Sequence, residues 1–67
     1  MQPDLSRLSL QQKDIMRLLA KGLTDAAIAT RLSLSVAVVL AHKQQMADKL
    51  GLTDMDELTR ISAKVYL

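Results

Sequence analysis

The chain has 67 residues, 49% of them hydrophobic, with nine Lys or Arg against seven Asp or Glu and a net charge of +2. A chain this short holds one core, because it buries only about 60% of the surface that its unfolded form exposes. Two Gly, one Pro, no Cys and Tyr66 as the lone aromatic residue exclude a disulfide scaffold and a thiolate metal site, and leave little material for hairpin turns.

What remains is an all-α chain whose core is built of Leu, Ile, Val, Met and Ala. Residues 1–7 read as a flexible lead-in to a domain over 8–67. Ser9 and Gln12 stand at the capping-box spacing, with Leu8 as a hydrophobic staple. Ile15, Met16, Leu19 and Ala20 then recur at helical spacing and Gly22 supplies a C-terminal stop, so a first helix is predicted over 10–21. Thr24 caps a short second helix over 25–32, with Ile28, Ala29 and Leu32 on its inner face. After only Ser33, Leu34 and Ser35, a third helix is predicted over 36–49, with Val39, His42, Met46 and Leu50 facing inward and Gly51 as its stop. Asp56 and Glu57 lie in the first turn of a fourth helix over 54–65, where negative charge suits the helix N-terminus; Met55, Leu58, Ile61 and Val65 form its apolar stripe.

Several chemistries find no support. The longest apolar runs, such as Leu34 to Ala41, fall far short of the roughly 20 residues of a membrane span, and the first residues form no signal peptide, so a soluble, cytoplasmic protein is expected. No metal site or cofactor is expected: His42 is the only histidine, and its place on the inner face of the third helix predicts a packed ring bonded to a backbone carbonyl. Asp54, Asp56 and Glu57 lack the glycine and the spacing of a calcium loop. Met46 and Met55 read as core or interface filler, and the row Lys13, Arg17 and Lys21 as a solvated face. The serines and threonines sit at caps with no base nearby, so no enzyme is expected.

Two short helices joined by about three residues, with further helices packed beneath, form the geometry in which a helix can be laid in a DNA major groove. The same geometry also serves as a plain packing unit. The residues carry more than geometry, however. Leu8-Ser9, the run Ile15 to Thr24, the run Ile28 to Ser35, then Val39, His42, Met46 and Lys49-Leu50-Gly51-Leu52 resemble the pattern of LuxR/GerE helix-turn-helix domains, without an insertion over about 50 residues. That resemblance implies a compact four-helix domain, the output module of a bacterial response regulator. It would bind double-stranded DNA through the third helix and form a homodimer through the fourth.

Several positions depart from the family pattern. Leu40 stands where a Lys or another polar residue is usual and Val38 where a phosphate-contacting Thr is usual. Asp25-Ala26-Ala27 replaces an Asn-Lys-Glu run, Gln11-Gln12 an Arg-Glu pair, and Met55 an Arg. Fewer cationic donors imply weaker phosphate contact. By resemblance and by a rotation of 100° per residue from the inward Val39, the third helix turns Ala37, Leu40, Ala41, Gln44 and Asp48 outward. The expected DNA contacts are Val36, Ala37, Leu40, Ala41, Lys43 and Gln44, with Arg31 and Thr24 steadying the phosphates; Met55, Leu58, Ile61 and Val65 are expected at the dimer contact. The apolar patch formed by Val36, Ala37, Leu40 and Ala41 equally suits a protein partner docking on the third helix.

Overall fold

Each helix begins where a side-chain oxygen is placed to receive its free amides. The computed structural model describes residues 5–66 and contains α1 (Leu10–Ala20), α2 (Asp25–Leu32), α3 (Val36–Leu50) and α4 (Met55–Tyr66). Ser9 Oγ accepts from the Gln12 amide at 3.1 Å while Gln12 Oε1 accepts from the Ser9 amide at 3.2 Å, closing the capping box expected from the sequence. Thr24 caps α2 and Ser35 caps α3 in the same manner, through the amides of Ala27 and Val38. Asp54 Oδ1 accepts from Glu57 N at 2.9 Å, which fixes the start of α4. Each cap stabilises its helix by about 1 kcal/mol, and every boundary falls within one residue of the predicted one.

The helix ends share one device. Gly22, Ser33 and Gly51 all adopt positive φ, at 84°, 58° and 70°. In each case the next residue is a leucine whose amide reaches back: Leu23 to the Leu18 carbonyl, Leu34 to that of Ala29, Leu52 to that of Ala47. Those three leucines then pack, half-buried, against the core, the hydrophobic contact that accompanies such helix ends. The two glycines are readable as stops. Ser33 is not, because an L-residue in the left-handed region is disfavoured by about 1–2 kcal/mol and carries no sequence mark.

Leu8, Ile15, Met16, Leu18 and Leu19, Ile28 and Ala29, Val39 and Met46, and Leu58 form one continuous buried cluster drawn from all four helices. α4 packs chiefly against α1, and α2 against α3. The radius of gyration, 10.7 Å, matches the roughly 11 Å of a close-packed domain of this length. Of the lead-in, residues 1–4 lie outside the described residues, and Leu5–Arg7 form a single 3-10 turn. Among the described residues no single helix is long and apolar enough to cross a membrane.

The stripe predicted for α4 needs a correction. Leu58 is fully enclosed in its own domain, and Ser62, not Ile61 or Val65, lies with it at the centre of the inner face. Ser62 Oγ donates to the Leu58 carbonyl at 2.7 Å, so its hydroxyl is satisfied inside the helix. Met55 and Ile61 pack half-buried on the core edge. Leu58 therefore offers no surface to a second copy.

Candidate nucleic-acid interface

Between α2 and α3 the chain turns through 106°, within the range of helix-turn-helix units, over the three residues Ser33, Leu34 and Ser35. α3 buries Val39, Lys43, Met46 and Ala47. Its opposite side carries Ala37, Leu40, Ala41, Gln44 and Asp48, all exposed as the rotation of the helix requires. Val36, Val38 and Leu40 are 42%, 39% and 44% exposed, so three large apolar side chains stand outward within the first two turns of α3. Val38 and Gln45 widen this surface beyond the predicted set; Val38 lies one position before the inward Val39, and its exposure follows from the same rotation.

Thr24 and Arg31, at the two ends of α2, are exposed, and Arg31 has no ion-pair partner among the described residues. Thr24 spends its hydroxyl oxygen on the cap, leaving its hydroxyl proton as the donor it can offer.

Lys43 stands apart from the other predicted contacts. It is 8% exposed, and its ammonium lies 2.8 Å from Asp25 Oδ1 at the start of α2. Positive charge alone suggests the DNA side for this residue, and the structure corrects that expectation. Lys43 lies four residues after the buried Val39, on the inner face, and its charge is absorbed by Asp25. The pair pins α3 to α2 and leaves no free cation on the surface α3 presents. Lys43→Ala is expected to lower the unfolding free energy by about 1–2 kcal/mol, by leaving Asp25 without its partner. Lys43→Met, which keeps the aliphatic packing, is expected to lose less; chemical denaturation of the two variants checks the difference.

A second polar clamp holds α3 to α1. The Gln12 side chain, 2% exposed, accepts at Oε1 from the Ser9 amide and from Lys49 Nζ, the latter at 2.9 Å. Its Nε2 donates to Gln45 Oε1 at 3.2 Å and faces His42 Nδ1 at 3.3 Å. Because Oε1 is committed to two donors, the amide nitrogen is the atom turned toward His42. His42 is thus a half-buried structural residue, as expected, but its partner is a side-chain amide and not the backbone carbonyl anticipated. No buried polar side-chain atom among the described residues lacks a partner. Nor does any group of His, Cys, Asp and Glu among them suit a metal ion.

The sequence is similar to those of known proteins. Residues 6–62 match the family described as bacterial regulatory proteins, luxR family. The chain is 40% identical, over 60 residues, to the oxygen regulatory protein NreC of Staphylococcus aureus strains JH9, Mu3 and NCTC 8325. That alignment takes in 90% of this chain and 28% of each relative, so the chain spans just over a quarter of the length of the relatives it matches. The four helices, the tight α2–α3 turn and a family match across most of the sequence agree: the chain belongs to the luxR family of bacterial regulatory proteins.

Proposed function

We propose that the domain is the DNA-binding output module of a bacterial transcription regulator, and that it lays α3 in the major groove of duplex DNA in the cytoplasm. One observation carries the reading: in a fold whose family is one of regulators, the face of α3 from Val36 to Gln44 is left uncovered by the other helices. Exposed Arg31 and the amides of Val36 and Ala37, which the Ser35 cap leaves free, are the groups offered to phosphates, since unpaired amides and the helix dipole favour an anion. Gln44 offers the amide that pairs with the N6 and N7 positions of adenine. Leu40 and Ala41 have nothing polar to offer and contribute contact area. A homodimer through α4 would rest on Met55, Ile61 and Val65, with Leu58 kept for the core.

Few free cations flank α3, and Asp48 on its exposed side repels phosphate, so binding is expected to be weak and to depend only shallowly on salt. Titration with a mixed pool of duplex DNA at low and moderate salt tests the reading. Affinity is expected to fall as salt rises, and Arg31→Ala to reduce the log–log salt slope by about one. No binding at low salt by the folded domain would refute it. That outcome would favour a second reading, a protein partner seated on Val36, Val38 and Leu40, whose exposure is otherwise unexplained.

A further inference from the structure

We infer that α3 reads methyl groups: the domain selects duplexes whose major groove presents the C5-methyl of thymine, or of 5-methylcytosine, over those whose pyrimidines lack that methyl. This rests on the DNA-binding reading and specifies the ligand of that surface.

Guanine is read through its N7 and O6 acceptors by a bidentate Arg or Lys, and cytosine through its N4 amine by a carboxylate. α3 carries two lysines. Lys43 is buried against Asp25, and Lys49, half-buried near the C-terminal end, is bound to Gln12 Oε1. The only acidic residue on the helix is Asp48, two turns or more beyond Val36 and Leu40. The N-terminal half of the exposed face therefore has no group able to read guanine or cytosine, and the amide side chains beyond it are Gln44, which is unengaged among the described residues, and Gln45, whose Oε1 is held by Gln12.

What that half does present is aliphatic. Val36, Ala37, Leu40 and Ala41 occupy positions i, i+1, i+4 and i+5, so they form one contiguous strip on adjoining turns. From Val36 to Ala41 the helix rises about 7.5 Å, roughly the length of two base-pair steps at about 3.4 Å each. A strip of that length can cover two or three adjacent base pairs. Against guanine or cytosine edges it would strip water from polar atoms and leave them unpaired, which is unfavourable. Against C5-methyl groups it buries apolar surface on both partners. Thymine and 5-methylcytosine present this methyl at the same place in the groove. The structure thus supplies both halves of a selection, an apolar strip that rewards methyls and an absence of donors that penalises guanine.

Alternating duplexes test the inference without knowledge of an operator. The A–T alternating duplex and its A–U counterpart differ only in the C5-methyl. Each buried methyl is worth about a fourfold gain in affinity, so two or three contacts predict at least about a tenfold preference for the A–T duplex. The same sign and a few-fold gain are expected when 5-methylcytosine replaces cytosine in an alternating G–C duplex. Leu40→Ala is expected to cut the A–T over A–U ratio to about threefold or less. Leu40→Lys is expected to bind both duplexes more tightly and nearly alike. Leu40 is 44% exposed, so both variants are expected to keep the wild-type melting midpoint, which is measured alongside. Equal binding of A–T and A–U duplexes by the wild type would overturn the methyl inference and leave DNA binding standing. A preference untouched by Leu40→Ala would also overturn it, because the selection would then come from DNA shape. Failure to bind any of the duplexes at low salt would overturn the DNA-binding reading itself, and this inference with it.

Discussion

Leu58→Ala is expected to lower the unfolding free energy of the domain by about 3–4 kcal/mol, the largest effect of any single truncation on α4. The residue is fully enclosed at the point where α4 closes over the core formed by the other helices. Truncation removes apolar burial and leaves a cavity that a cluster drawn from all four helices fills poorly. A domain of this length holds about 3–10 kcal/mol in total, so the loss takes a large share of it, and Leu58→Asp is expected to abolish folding. Had Leu58 lain at a dimer contact, as its place in the apolar stripe suggests, truncation would weaken association and spare the monomer. Urea denaturation at two protein concentrations separates the cases: a midpoint lowered equally at both places Leu58 in the core.

Gln12→Ala is expected to cost about 3 kcal/mol, chiefly through the hydrogen bonds it removes. The substitution strips the acceptor from the Ser9 amide and from Lys49 Nζ, and the donor from His42 and Gln45. Losing one hydrogen bond typically costs about 1 kcal/mol, and more where a buried group is left unpaired. Gln12→Glu is the informative companion. A carboxylate keeps both acceptor bonds and meets Lys49 with opposite charge, while exposed Gln45 is free to turn its amide. It is expected to lose less than half as much stability at neutral pH as the alanine variant. Equal losses would show that the donor half of the amide, toward His42 and Gln45, carries the clamp. Thermal melting of the two variants and the wild type reads this directly.

The parts of the fold that can be read from sequence are those with local causes. Ser9, Thr24 and Ser35 announce helix starts because a cap bonds within its own first turn. Gly22 and Gly51 announce ends because positive φ favours glycine. Ser33 does the same work without any mark. Long-range pairing is hidden for a different reason: Gln12 reads as half of a capping box, yet its other bonds reach His42, Gln45 and Lys49, at least thirty residues along the chain.

The exposed face of α3 is legible where periodicity is followed and misread where charge is preferred to it. The rotation that puts Leu40, Ala41 and Gln44 outside also puts Lys43 inside, beside Val39, where it meets Asp25. On α4 the stripe is correct in kind, but a stripe does not state which partner covers it. α1 covers Leu58. The departures at Val38 and Leu40 take on meaning only beside the burial of Lys43, since together they leave α3 with an aliphatic face and no free cation.

Whether α3 meets duplex DNA through that face is tested most directly by backbone amide NMR shifts, recorded as an alternating A–T duplex is added at low salt. The prediction is a set of shifts concentrated between Val36 and Gln44, extending to Thr24 and Arg31 at the two ends of α2, with α4 unmoved. Shifts confined to α4, or a folded domain whose spectrum does not change, would contradict it.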